Sequence, residues 1–492
     1  MEISLKQETL EYYAKIMETE LAREETAETI VPDTLPDVVS VADADASVWL
    51  RSKEVTEGRL TVNALVAGTV LYRGGDGEAL CRMPAQLPVT LRWDAEGLGR
   101  DSLCTVSLSL AGFEARIINS RKLLLRGEVL ASVRCFALTQ ASLTVGAESE
   151  ALELKEETIR FPHLAAVGER GFTVTGELSL GGSKPRLGEL LKSRVRLVTE
   201  EVTAAGPRLA ARCRAVAELV YRAAESGELC SAELALPFSQ LWDTGLSTEP
   251  EAAAAELQLT GVRLEPAEGE EGTLINAELG VAAVFFAWQT TEPRCVTDAY
   301  CLHHELELTP RELRLYRSEP GRVEEDAVTE LLECAEPVKN VLSVAARLGK
   351  ADGEGRRELR VRVLCETGEG RLTTLTDTAA LSLTAPAAAL WTGEATARPV
   401  SGGLELRVPL CRLSREEERL LLTTPEKLEL NEEETKDFYT PSVTALRADG
   451  KRCLWELAKG FNTTVAAIRE ANSGLSADPP EADTLLLIPR AR

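Results

Sequence analysis

At 492 residues the chain exceeds what one hydrophobic core normally spans, about 150 per domain, and its 44% hydrophobic and 27% charged content suits several folded domains rather than a disordered acidic tail. With 79 acidic against 55 basic residues the net charge is −24, which opposes binding to DNA, RNA or an anionic membrane surface, where affinity comes from Lys and Arg on phosphates. Aromatic residues make up only 4% and there are three histidines, His163, His303 and His304, which disfavours base-stacking platforms and histidine-built metal or acid–base sites.

In chain order, Leu10, Tyr13, Met17 and Leu21 can share a helix face, predicting a helix from Glu8 to Leu21 inside an N-terminal helical segment, residues 1–29. No basic stretch followed by an apolar one opens the chain, so a secretory signal is not expected. From Ile30 onward the sequence repeats itself. A shift of 149 carries Pro36 onto Pro185, Arg59-Leu60 onto Arg208-Leu209, Tyr72-Arg73 onto Tyr221-Arg222, Cys81 onto Cys230, Leu87-Pro88 onto Leu236-Pro237 and Trp93-Asp94 onto Trp242-Asp243. A shift of 150 continues it, placing Leu125 on Ile275, Glu128 on Glu278 and Phe136 on Phe286. Such a unit is domain-sized, so each copy can hold its own core. Within it the apolar period is two (Leu60, Val62, Ala64, Val66; Val195, Leu197), the mark of half-buried strands, and Gly74-Gly75-Asp76-Gly77 and Glu225-Ser226-Gly227 supply turns. A short helix is expected after Pro36 and after Pro185.

A third, degenerate copy places Glu358–Cys365 where the strand ending at Tyr72 or Tyr221 stands, and Gly403–Val408 where the strand at Glu128 stands; its opening proline motif is missing. The charge clusters Leu413–Glu418 and Asn431–Lys436, around Pro425, read as a linker. The organisation expected is an N-terminal segment (1–29), repeats at 30–150, 151–293 and 294–412, a charged linker (413–436) and a C-terminal domain (437–492). The fold class is mainly β: two or three tandem β-rich domains, then a small α+β (βααβ) domain. The eleven cysteines are odd in number, scattered, mostly in apolar runs and without a CxxC, which reads as free thiols in a reducing compartment. The longest uncharged apolar block, Val281–Trp288, is too short to span a bilayer.

The C-terminal segment has no net charge: seven bases, Arg447 to Arg492, face seven acids, Asp437 to Asp483. Leu454, Leu457, Ala458 and Phe461 fall at helical spacing, and Val465, Ile468 and Asn472 repeat it after Asn462-Thr463-Thr464, which can cap a second helix. Flanking strands are expected at Ser442–Leu446 and Thr484–Pro489. This segment resembles a LysM domain, on Leu454-Trp455-Glu456-Leu457-Ala458-Lys459, Asn462-Thr463-Thr464-Val465 and the closing Leu487-Ile488-Pro489. The repeats resemble SPOCS domains, on Ile30-Val31-Pro32-Asp33-Thr34-Leu35-Pro36-Asp37-Val38, Leu71-Tyr72-Arg73, Val220-Tyr221-Arg222 and Val296-Thr297-Asp298-Ala299-Tyr300. The combination resembles the clostridial spore-coat morphogenetic proteins of the SipL type. That resemblance implies a structural role in the mother-cell cytoplasm, at the forespore surface, with the LysM domain docking the coat-building ATPase, stage IV sporulation protein A.

The segment departs from the LysM pattern where a sugar would sit. Lys451-Arg452-Cys453 replaces the usual Gly-Asp-Thr or Gly-Asp-Ser, and Glu481-Ala482-Asp483 replaces a glycine loop, so chitin or peptidoglycan binding is disfavoured and protein binding favoured. The candidate partner-binding residues are Trp455, Arg452, Lys451, Ile468 and Asn472; the competing readings are a core role for Trp455 and Ile468 and solvated side chains for Lys451 and Arg452. His303-His304-Glu305 lacks a further ligand at useful spacing, Gly181-Gly182-Ser183-Lys184 lacks phosphate-loop spacing, and neither GxSxG nor HExxH occurs. The expectation is therefore a non-enzymatic scaffold with no cofactor and no nucleic-acid partner; the alternative is a glycan-binding protein acting through its LysM-like segment.

Overall fold

The computed structural model describes residues 1–75, 79–149, 151–182, 184–269, 272–352, 354–382, 390–415, 417–435, 442–475 and 477–490. Asp76, Gly77, Ser183, Glu416 and the junction 436–441 lie outside the described residues. The protein is mainly β, built as three similar units followed by a small helical module.

In the first unit the sheet Val38–Thr56, Arg59–Gly74, Ala79–Asp94 faces the sheet Leu5–Ile30, Lys122–Ala147, Leu103–Asn119 across one core, in which Leu60, Val62, Val66, Leu125, Val129 and Val133 are fully buried. The second unit repeats this with Leu187–Ala205, Arg208–Ala223, Leu229–Asp243 against Ala252–Gly269, Gly272–Thr291, Phe161–Ser179. The third pairs Val338–Leu348, Arg356–Thr367, Leu372–Ser382 with a sheet centred on Gly403–Ser414, flanked by Arg322–Glu333 on one side and by Leu390–Thr392 and Thr396–Val400 on the other.

Register identifies the third copy. Its first strand carries irregularities at Val338/Asn340 and Val341/Ser343, matching Val38/Ser40 and Val41/Asp43 in the first unit and Leu187/Glu189 and Leu190/Lys192 in the second. Tyr72 stands opposite Val41 and Tyr221 opposite Leu190; Cys365 stands opposite Val341. The tyrosines donate to Pro36 O at 3.0 Å and Pro185 O at 3.1 Å, so they fasten the proline loop to the sheet. The third unit has Cys365 in place of the hydroxyl and only a short loop, Cys334–Pro337, before its first strand.

Each unit extends its first and last strands into a two-stranded ribbon: Leu5–Ile30 with Lys122–Ala147, Leu152–Thr158 with Arg294–Cys301, and His304–Ser318 with Glu417–Thr435. The three ribbons pack together around Tyr12, Leu143, Phe161, Cys295 and Leu315, and further along around Ile3, Leu152, Cys301 and Leu428. The N-terminal Glu2–Ile3 adds an edge to Glu417–Thr435, closing the first unit onto the third.

At the other contact the units meet in an apolar cluster made of three equivalent triads: Ala42, Leu71, Leu80; Leu191, Val220, Leu229; Leu342, Leu364, Leu372. One residue further along each first strand stand Asp43, Lys192 and Ser343, and two beyond these Asp45, Arg194 and Ala345. Lys192 Nζ lies 3.0 Å from Asp43 Oδ2 and 2.8 Å from Asp45 Oδ2, Arg362 Nε donates to Asp43 Oδ1 at 2.7 Å, and Arg347 pairs with Asp45. Burial alone would raise the Asp45 carboxyl, but Lys192 and Arg347 outweigh it and hold it well below the usual carboxylate range. Asp43, Asp45 and Lys192 are buried, so this cluster ties all three units through desolvated charge.

Five expectations are corrected. Residues 1–29 are not helical: Glu2–Ile3 is an edge of the third unit's ribbon and Leu5–Ile30 a strand of the first unit. The bulge between Lys15 and Met17 switches which parity faces inward, so Leu10, Tyr12 and Ala14 point to one core and Met17, Leu21 and Ala27 to another; that switch mimics helical spacing. No helix follows Pro36 or Pro185, because strands begin at Val38 and Leu187. Residues 413–436 are not a linker over their described part: Glu417–Thr435 is a strand paired to His304–Ser318. Unit boundaries shift accordingly, since Arg294–Cys301 pairs back to Leu152–Thr158 and belongs to the second unit. Finally, Cys104 and Cys135, which face each other across neighbouring strands, form a disulfide; Cys81, Cys213, Cys230, Cys295, Cys301, Cys334, Cys365, Cys411 and Cys453 are in no disulfide.

Candidate functional site: a C-terminal module docked on a strand ribbon

Strands Val443–Arg447 and Leu485–Pro489 pair antiparallel and enclose helices α1 (Leu454–Gly460) and α2 (Val465–Ala471). Both helices are short, so capping and packing must hold them. Glu456 accepts from the Cys453 backbone N–H at 2.9 Å and Asp478 from the Leu454 N–H at 2.8 Å at the start of α1; Thr464 Oγ1 accepts from the Ala467 N–H at 3.0 Å at the start of α2. The turn between them passes through Asn462 at φ 51, a left-handed position that asparagine tolerates. Leu454, Leu457, Ala458, Ile468, Leu486 and Ile488 form the core, and Tyr300, from the second unit's ribbon, is part of it.

Tyr300 makes the module continuous with the body of the protein. Its hydroxyl donates to Thr463 O at 2.7 Å, and its ring meets Trp455 edge-on with centroids 4.8 Å apart. Two residues earlier, Asp298 accepts from Trp455 Nε1 at 2.7 Å and from Lys459 Nζ at 2.7 and 2.9 Å, and its Oδ1 also takes the Ala299 N–H at 2.9 Å. Burial would raise the Asp298 carboxyl; the Lys459 and Trp455 hydrogen bonds more than offset it and leave it below the usual range. Burial pushes the Tyr300 phenol up, so it stays a neutral donor.

The loop Asp449–Cys453, where a LysM domain would cradle sugar, is internally satisfied. Asp449 Oδ1 accepts the Lys451 N–H at 2.8 Å and the Arg452 N–H at 2.9 Å, and Oδ2 accepts Arg452 Nε at 2.8 Å. Those backbone hydrogen bonds hold the Asp449 carboxyl well below its ordinary range. On the sheet's outer face Val443, Leu485 and Leu487 are 50%, 60% and 42% exposed, beside exposed Ala445 and Arg447.

No known family model, curated protein or solved structure matches the chain.

The five candidate residues thus fall into three groups. Lys451 and Arg452 are exposed on the loop. Trp455 is half-buried and spends its N–H on Asp298, which docks the module on the second unit's ribbon. Ile468 is fully buried and Asn472 is structural: its Nδ2 donates to Ile468 O and Leu487 O, both at 2.7 Å, and its Oδ1 accepts from the Leu487 N–H at 2.9 Å, stapling α2 to the sheet. The side chains of these two are engaged inside the module. Sequence reasoning missed Asp298 and Lys459. Val296–Tyr300 was singled out as a motif, yet nothing in it says that an aspartate 157 residues away answers Trp455. Among the described residues no group of three or more His, Cys, Asp or Glu side chains could hold a metal ion.

Proposed function

We propose that the chain is a non-enzymatic adaptor of spore-coat assembly, acting in the mother cell at the forespore surface, in which three SPOCS-like units form the body and a LysM-like module binds a coat ATPase of the stage IV sporulation protein A kind. The observation that carries this reading is the outer sheet face of the module: three exposed large apolar side chains, Val443, Leu485 and Leu487, project from a chain of net charge −24, and clustered apolar exposure of this sort marks protein contact. Lys451 and Arg452 add exposed positive charge on the neighbouring loop, while Trp455 and Lys459 position the module through Asp298. Asp449 already takes loop N–H groups that would otherwise be available to a sugar, which favours protein over glycan.

The test is retention of the purified ATPase by the immobilised full chain, with Leu485→Asp and Leu487→Asp as variants. Binding by the wild type and loss in both variants is expected; failure of the wild-type chain to retain the ATPase would defeat the proposal, as would its capture on insoluble peptidoglycan.

A further inference from the structure

The internal repeat supplies its own controls, and one joint between units breaks the pattern. Just before the apolar triads, each unit places one residue of its first strand opposite one of its second: Ser40 opposite Arg73, Glu189 opposite Arg222, Asn340 opposite Glu366. In the second unit the pair is complete. Glu189 Oε2 lies 3.4 Å from Arg222 Nε, and the same guanidinium donates to Leu80 O of the first unit. The first unit keeps the arginine but has a serine where the acid should be. Among the described residues no carboxylate forms an ion pair with Arg73, although Arg73 is half-buried at the joint with the third unit.

Arg73 does not face flat surface. It lines an open recess of about 330 Å³ together with Ser40, Arg362, Thr373, Thr374 and Thr376. Arg362 is held there by its 2.7 Å bond to Asp43, and Thr374 Oγ1 by a 2.9 Å bond to Ala42 O, so the recess is built on side chains that are already positioned. Among the described residues its lining offers two guanidinium groups and four hydroxyls, and no acid.

We infer that this recess binds a carboxylate, which occupies against Arg73 the place that Glu189 holds against Arg222. The internal precedent sets the chemistry: the equivalent arginine is satisfied by a carboxylate, and a guanidinium fork matches that group's geometry. The carboxylate comes from a small free acid or from an Asp or Glu side chain of a bound protein. This inference does not depend on the coat-assembly reading, since the recess lies on the body and not on the C-terminal module.

The experiment titrates the full-length protein by calorimetry with succinate, with a capped peptide carrying a single Glu, and with inorganic phosphate. Saturable binding of succinate or of the peptide is expected, and which of the two binds more tightly distinguishes the free acid from the protein side chain. Arg73→Gln should weaken that binding about tenfold or more, as expected for loss of a charge-assisted hydrogen bond. Ser40→Glu should abolish it while raising Tm, because its own carboxylate completes the pair as in the second unit. The inference is overturned if neither carboxylate saturates, if phosphate binds in preference to both, or if Ser40→Glu binds the carboxylates like the wild type.

Discussion

Deleting the contacts that hold the C-terminal module to the ribbon gives a quantitative test of docking. Trp455→Phe keeps an aromatic ring beside Tyr300 but removes the indole N–H and part of the bicyclic ring; Asp298→Ala removes the acceptor. A hydrogen bond to a charged group contributes about 1.5–3 kcal/mol. The Lys459 side chain is 44% exposed and that of Asp298 28%, so their ion pair is solvent-screened and adds at most about 1 kcal/mol. Asp298→Ala should therefore destabilise the docked module by about 2–3 kcal/mol, Trp455→Phe by about 1–2, and the double mutant by less than their sum, with a coupling of about 1–2 kcal/mol. Hydrogen exchange of the amides in α1 and in Arg294–Cys301, measured on the full chain, reads this out. Because the folded carboxyl of Asp298 lies below its unfolded value, its contribution is complete above the ordinary Asp value of about 3.9 and fades as pH falls through the folded value. A coupling indistinguishable from zero, about 0.3 kcal/mol or less, would refute the docked arrangement.

Other substitutions probe the core and the joint between units. Ile468→Ala empties a fully buried site and should cost about 2–5 kcal/mol, seen as lost exchange protection at Leu486 and Ile488. Asp45→Asn leaves Lys192 and Arg347 short of a charge partner in a dry joint and should cost about 3–5 kcal/mol in urea unfolding. Since Asp45 is also held below its ordinary value, wild-type stability should fall in acid below about pH 3.9, and this variant should lose part of that dependence. Tyr72→Phe and Tyr221→Phe each remove one equivalent hydroxyl bond and should each cost about 1 kcal/mol.

The repeat and the strand character were legible because equivalent cores impose equivalent residues: Leu60 faces Trp93 and Leu209 faces Trp242 in the same register. The third copy was faint for a physical reason. Cys365 cannot make the tyrosine's bond, Ala379 takes the place of Leu87 and Leu236, and the pairing of the two strands ends at Arg356 opposite Ser382, short of the tryptophan's position. The ribbon at Glu417–Thr435 reads as a linker because acidic residues cluster in the sequence at both its ends, although Leu420, Leu422, Leu428 and Leu430 already alternate inward with period two. In the C-terminal module the helices, the Thr464 cap and the flanking strands could be read locally, since each depends on neighbours within a few residues. Asp298, Tyr300 and the charge cluster could not, because their partners lie 147 to 319 residues away.

Repetition within one chain creates a problem of specificity that the buried charges answer. Three units with interchangeable faces could pair in the wrong order or with a unit from another copy, and the apolar triads, nearly alike in all three, would tolerate it. The position beside them does not: Asp43, Lys192 and Ser343 are equivalent in register yet differ in charge, and so are Asp45, Arg194 and Ala345. Lys192 reaches both aspartates only when the second unit meets the first, and Arg347 and Arg362 reach them only when the third closes on the same joint. Any other arrangement buries an unmatched charge, at several kcal/mol, so divergence at these equivalent positions selects one closed order where apolar packing alone would not.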